Sequence, residues 1–205
     1  PILKKNGVPD DFKYVAVIES GLVNVISPAG ARGVWQFMPD TAKEIGLEVN
    51  ENIDERYHLE KATEAACAYF LKAKEKFGNW TLVAAAYNAG GTGIKKQLDS
   101  QKVSSYYDLL LNDETSRYVF RILALKQIMQ HPEQYGFPIT EEEQYKIVAT
   151  KKIAIDSSVT DLANLAMQQG INYKILKIHN PWLRTTKMVN PTNKKYQLEI
   201  PLEGY

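Results

Sequence analysis

From Leu59 onward, Leu59, Ala62, Ala66, Tyr69, Ala73 and Phe77 recur at the three-and-four spacing of one helix face, and the run stops at Gly78. Half of that face is alanine, so another helix can approach it closely. Asn79 then stands as a cap before "WTLVAAAYNAGG", a second helical run ended by Gly90-Gly91 that leaves Tyr87 and Asn88 in its last turn. This part of the chain is therefore expected to be packed helices. The single cysteine, Cys67, falls inside the first run, where a small buried thiol is the expected role. It rules out an internal disulfide and lends little to a thiol nucleophile or a cysteine metal site. His58, His131 and His179 lack metal-ligand spacing, and no metal or cofactor is expected.

The same reading extends on both sides. Pro9-Asp10-Asp11 starts a helix, "SPAGARG" at 27–33 is a Gly-rich loop, and Pro39-Asp40-Thr41 starts a helix that stops at Gly46. A further amphipathic helix spans 114–130, with Tyr118, Ile122, Leu125 and Met129 on one face and Pro132 beyond its end. The proline-containing, acidic stretch at 131–144 reads as a linker. After it "YKIVATKKIAI" is β-rich, Asp156-Ser157-Ser158 with Asp161 marks the start of a helix, "NYKILKIHN" is another, and "KYQLEIP" alternates as a strand. The expected fold class is mainly α with a small βααβ module at the end. Boundaries are placed at 1–137 for the helical domain, 138–145 for the linker and 146–205 for the module.

At 205 residues with 44% hydrophobic and 24% charged residues, the composition is that of a globular chain with a sizeable core. No apolar run approaches the ~20 residues of a membrane span, and no signal peptide is visible. The chain begins at Pro1 rather than Met, so an export signal or lipid anchor is expected to lie outside it. The net charge of +1 hides an asymmetry: 16 Lys+Arg against 20 Asp+Glu (−4) in residues 1–145, and 9 against 4 (+5) in 146–205. The basic tail suits an anionic polymer or is simply a solvated face.

One acid stands out. In "VAVIESGL" at 15–22, Phe12, Val15, Glu19 and Leu22 share one helical stripe, which points Glu19 inward. A buried carboxylate without a partner is costly, so it either finds donors or raises its pKa and keeps its proton. Glu19 is thus a general acid in a cleft or a structural glutamate held by a cap or a buried arginine.

The blocks Glu19-Ser20, "SPAGARGVWQFMPDTA", "AAAYNAG" and "YYDLLLNDETSRYVFRILALKQI" occur in that order. Together they resemble the lytic transglycosylase catalytic domain of the goose-lysozyme-like superfamily, of the membrane-bound lytic murein transglycosylase D type. That type also has a "DER" before an alanine-rich helix, matched here by Asp54-Glu55-Arg56 and "ATEAACAYF". The resemblance covers residues 8–137 and implies a lysozyme-like helical domain with Glu19 as the catalytic glutamate. It further implies that Gln36, Met38, Tyr87, Asn88 and Tyr118 line the cleft, that Ser27 lies near the acetamido group of the reacting sugar, and that Asp108 is an acidic position near the site. Two departures are visible: Ser116 intervenes between Thr115 and Arg117, so Arg117 is assigned no contact, and "LLN" replaces the usual Leu-Pro before the helix. Residues 146–205 resemble a LysM glycan-binding module, with "NPWL" near its asparagine-proline signature. The usual Gly-Asp-Thr start is replaced by Asp156-Ser157-Ser158, so this part is either a glycan binder or a degenerate module packed on the catalytic domain.

Most glycosidases hold two carboxylates about 5–10 Å apart, yet no second acid stands at a comparably apolar, motif-embedded position. Asp40 and Glu44 read as helix acids, Asp54 and Glu55 as loop acids. That shortage suits what the resemblance implies: a non-hydrolytic cut between N-acetylmuramic acid and N-acetylglucosamine in which one glutamate is first acid and then base, giving a 1,6-anhydro end. The implied partner is the peptidoglycan glycan strand in a bacterial cell envelope, acted on by a monomer with no nucleic-acid partner and with any lipid or outer-membrane tether outside this chain. A goose-type lysozyme and a non-catalytic peptidoglycan-binding scaffold are the rival readings.

Overall fold

The computed structural model describes residues 1–203. The helical part begins with α1 (Ile2–Lys5), then a 3-10 turn, Asp10–Phe12, that runs directly into α2 (Lys13–Ser20). The start expected at Pro9-Asp10-Asp11 is thus this tighter turn, whose two acids pair with Lys13 and Lys126. α3 (Pro39–Glu44) opens on its proline, and α4 (Leu59–Phe77) ends where glycine was expected to stop it. α5 (Trp80–Ala89) is capped by Asn79, whose side chain accepts the Leu82 N–H at 2.9 Å. α6 (Gly91–Gln101) was not anticipated: Gly90-Gly91 read as a stop, and Gly90 at φ 79° breaks α5 only for a new helix to begin at once. α7 (Asp113–Gln130) starts one residue earlier than expected because Asn112 accepts the Thr115 N–H at 2.8 Å. On its apolar face Tyr118 and Ile122 are buried and Leu125 half-buried, but Met129 is exposed, so the face outruns the core.

The alanines matter as the sequence suggests. Ala62, Ala65, Ala66 and Ala73 of α4 and Ala84, Ala85 and Ala86 of α5 are all buried, so the backbones pack closely and the large side chains concentrate elsewhere. Phe70 is the hub: Phe12, Trp35, Tyr69 and Tyr87 all meet its ring, the first at 4.6 Å between centroids and edge-on.

The module is βααβ: β1 (Thr150–Ile155), α8 (Leu162–Gln168), α9 (Tyr173–His179) and β2 (Tyr196–Pro201), the strands antiparallel with Thr150 opposite Pro201 and Ile155 opposite Tyr196. The β-rich run beginning at Tyr145 becomes strand only from Thr150, and Tyr145 and Ile147 are fully exposed. Asp161 is the residue that caps α8, accepting the N–H of Ala163 and of Asn164.

The two parts are not merely strung together. Ile53 and Tyr57, from the loop before α4, belong to the module's core with Leu162, Leu176, Leu198 and Ile200. Backbone bonds fix the docking: Asp54 N–H to the Trp182 carbonyl at 2.9 Å, Arg184 N–H to the Asn52 carbonyl at 2.8 Å, and an Ile53–Leu183 bridge. Lys194 adds an ion pair to Glu48 at 2.6 Å.

Candidate active site

The stripe that carries Glu19 climbs out of the core. Phe12 and Val15 are buried, Glu19 is half-buried in the last turn of α2, and Leu22 is 54% exposed. The exit is built by two successive left-handed residues, Gly21 at φ 62° and Leu22 at φ 63°. Glu19 therefore sits at the rim of the apolar interior, half-buried rather than sealed inside it. Its Oε1 accepts the phenolic proton of Tyr118 at 2.6 Å, a residue of α7 almost wholly buried beside it. Burial pushes the Glu19 pKa up, the Tyr118 hydrogen bond partly offsets this, and the carboxylate of Glu114 pushes it up further against the pull of Arg121. The net shift is upward, so Glu19 keeps its proton to a higher pH than an ordinary glutamate. Burial and the nearby Glu19 raise the pKa of Tyr118 and Tyr87, so both stay protonated and act as hydrogen-bond donors.

Glu19 opens into a cavity of about 310 Å³. Gln36 and Met38 line it from the loop before α3, Tyr87 and Asn88 from the last turn of α5, which brings four of the expected cleft residues to the acid. Each is held. Gln36 adopts φ 51° and its amide donates to the carbonyls of Gly33 at 2.8 Å and Val25 at 3.1 Å, tying the loop to itself. Tyr87 donates to the Trp35 carbonyl at 2.5 Å. Asn88 donates to Glu114 and accepts from the Thr115 hydroxyl, both at 2.9 Å, which bridges α5 to α7.

Two expected residues do not join them. Ser27 Oγ accepts the Ala31 N–H at 3.0 Å and closes its own loop, and Asp108 is exposed on a 3-10 turn, Tyr106–Asp108; neither lines the cavity. Arg117 is exposed, 3.9 Å from Asp113. Sequence reasoning passed over Glu114, Thr41, Tyr69 and Phe37 as site residues, and all four line the cavity. For Glu114 a signal existed: it lies four residues before Tyr118 in the same block. A larger hollow of about 840 Å³ lies beside α1 and α4, but its charges are spent on each other, Lys5 on Glu64 and Lys61 on Glu55.

The cleft loop rests on the "DER" segment. Arg56 forks the Asp54 carboxylate at 2.9 and 2.7 Å, both residues being buried, and its third nitrogen donates to the carbonyls of Phe37 at 3.0 Å and Gly30 at 3.4 Å. Gly33, at φ 79°, presses so close that a Cβ there would lie 1.9 Å from the Arg56 carbonyl oxygen. Asp54 and Glu55, expected as loop acids, are thus buried structural groups.

The description "Transglycosylase SLT domain" matches residues 2–110, more than half of the chain. The chain belongs to the SLT transglycosylase family. Residues 151–204 match the soluble lytic transglycosylase C-terminal LysM-like domain. The chain is 29% identical over 184 residues to membrane-bound lytic murein transglycosylase D of Escherichia coli K12, and equally so to that of E. coli O6:H1, covering 87% of this chain and 40% of each relative. It therefore spans about two fifths of the length of the curated relatives it matches. Among solved structures, an inactive mutant of the lytic transglycosylase Slt from Pseudomonas aeruginosa shares the fold of this SLT chain, with a TM-score of 0.51 and 21% identity over 71% of this chain and 25% of that one. No helix among the described residues is long and apolar enough to cross a membrane.

Proposed function

We propose that this chain is a peptidoglycan lytic transglycosylase that cuts the bond between N-acetylmuramic acid and N-acetylglucosamine without water. The observation that carries the reading is Glu19: half-buried in the cavity, with a raised pKa and a short hydrogen bond from a buried phenol. The protonated acid donates to the glycosidic oxygen as the bond to the anomeric carbon breaks, and the sugar's own acetamido group stabilises the developing cation. Glu19, now a carboxylate steadied by Tyr118, takes the proton from the muramoyl 6-hydroxyl as that oxygen attacks the anomeric carbon. The proton returns to Glu19, the product carries a 1,6-anhydro ring, and no water is consumed. Residues 1–137 form the catalytic unit in this reading, 146–205 the appended module, and 138–145 the join. The partner is the glycan strand of a bacterial cell envelope.

Mass spectrometry of muropeptides released from purified sacculi tests it. Wild type is expected to release anhydromuropeptides and Glu19→Gln none; undiminished release by the variant would sink the assignment. Glu114 in the same cavity favours a second reading, hydrolysis with Glu114 as base, and that chemistry would leave reducing ends instead.

A further inference from the structure

Glu114 is the second carboxylate of the cavity, and nothing of its own fixes it there. It is the second residue of α7, it is exposed, and the Asn88 amide at 2.9 Å is its one hydrogen-bond partner among the described residues. A long side chain kept in one place gives up rotamer freedom, so the group that holds it matters. Whatever orients Asn88 therefore places Glu114.

The Asn88 amide has two unlike ends. Its nitrogen faces Glu114, which as a carboxylate can only accept, and its oxygen accepts the Thr115 hydroxyl at 2.9 Å. Each end meets a group of the matching kind, and the amide is gripped from both sides. Thr115 is itself well anchored: it is 2% exposed, its N–H is bound by the Asn112 side chain at 2.8 Å, and its carbonyl accepts the Tyr106 phenol at 2.8 Å. A threonine in a helix commonly turns its hydroxyl back on the carbonyl one turn earlier. Here the hydroxyl donates across to α5 instead. Thr115 does not line the cavity, so it reaches the site only through Asn88.

The groups that bear on Glu19 are Tyr118, Glu114 and Arg121 of α7 and Tyr87 of α5, while Gln36, Phe37, Met38 and Thr41 bring no charge to the cavity. Among them Glu114 is the one other acid. Its carboxylate raises the Glu19 pKa, so its position sets how much negative charge Glu19 meets.

We propose that Thr115 is a positioning residue of the catalytic site: its hydroxyl orients the Asn88 amide, and that amide holds the Glu114 carboxylate at the cavity with Glu19. This rests on the reading of Glu19 as the catalytic acid. Sacculus turnover measured against pH tests it for wild type, Thr115→Val and Thr115→Ser, each with Glu114 present and with Glu114→Gln. Val keeps the branched shape without the hydroxyl, and Ser keeps the hydroxyl. In Thr115→Val the amide loses one of its two holds, Glu114 is freed to swing into solvent, and the alkaline limb is expected to move to lower pH, by no more than Glu114→Gln itself moves it. With Glu114→Gln already in place, Thr115→Val is expected to add no further shift, because the charge it would release is gone. Thr115→Ser is expected to keep the wild-type limb. A Thr115→Val limb that stays in place, an equal added shift in the Glu114→Gln background, or a Ser variant shifted like Val overturns the assignment. So does a Thr115→Val chain that fails to fold, since the hydroxyl would then hold the fold rather than the cavity. Retained turnover by Glu19→Gln sinks the catalytic reading instead, so the two failures are distinguishable.

Discussion

Glu19 and Asp54 are both carboxylates drawn out of water, and the chain treats them in opposite ways. Asp54 receives a guanidinium fork from Arg56 within a fully buried pair. Glu19 receives a neutral phenol, a neighbouring carboxylate and an opening to solvent. A guanidinium fork fixes a buried carboxylate in place; a neutral donor leaves it free to gain and lose a proton. The first environment makes a joint between the cleft loop and the module, and the second suits the acid proposed for Glu19.

The largest expected effect breaks the comparison on the Glu19 side. A general acid contributes about 10²–10⁴ in rate, so Glu19→Gln should lose at least that factor in sacculus turnover. The same substitution should stabilise the fold. A glutamate whose pKa is raised on folding binds more protons in the native than in the unfolded state between the ordinary value, near 4.5, and the raised one, so native stability falls as pH rises through that window. Gln carries no such penalty. The melting temperatures of variant and wild type should agree below the ordinary value and separate above the raised one, with the variant higher.

On the other side, Arg56→Met leaves the buried Asp54 with only the half-exposed Arg32, 3.8 Å away, as a cation, at a cost of about 3 kcal/mol. For a chain of this size that is a fall of the order of 10 °C in melting temperature. Replacing Asp54 with Leu in the same variant should restore much of it, because the charge and its orphaned partner leave together. If Arg56→Met melts like wild type, the joint is not where the cleft loop is held.

Tyr118→Phe should be milder and act on pH. A hydrogen bond to a charged group is worth about 1.5–3 kcal/mol, so the rate should drop by roughly 10- to 150-fold. The bond from Tyr118 lowers the Glu19 pKa, so its loss should move the alkaline limb of the pH–rate profile to higher pH. A limb that stays in place would mean that Tyr118 does not reach Glu19 in solution.

The contrast also explains what could be read from the sequence. α4 and α5 end where glycine and asparagine punctuate them, because these are local backbone requirements. Gln36, Met38, Tyr87 and Asn88 were legible through the family blocks and do converge on Glu19. The burial of Asp54 was not legible, because its segment docks on Trp182 and Leu183, some 130 residues away in sequence. α6 escaped because only Ile94 in it is fully buried and glycines crowd its first turn, so neither periodicity nor propensity announces it. Ser27 and Asp108 show the limit of transferring motifs: their blocks are present, but neither lines the cavity that holds Glu19.

Glu114→Gln should have the smallest effect under the proposed mechanism, and it sharpens the comparison most. Glu114 adds negative charge near Glu19, so its neutral amide should lower the Glu19 pKa and shift the alkaline limb to lower pH, opposite to Tyr118→Phe. A glutamine oxygen still accepts from the Asn88 amide, so the bridge between α5 and α7 survives and the turnover near the optimum should change by less than about 3-fold. A hydrolytic enzyme would behave otherwise. With Glu114 as the base that activates water, the same substitution would cost a factor near 10²–10⁴, and the wild-type products would carry reducing ends. One variant, read for rate, pH profile and product together, thus decides whether the second carboxylate in the cavity tunes the acid or shares its work.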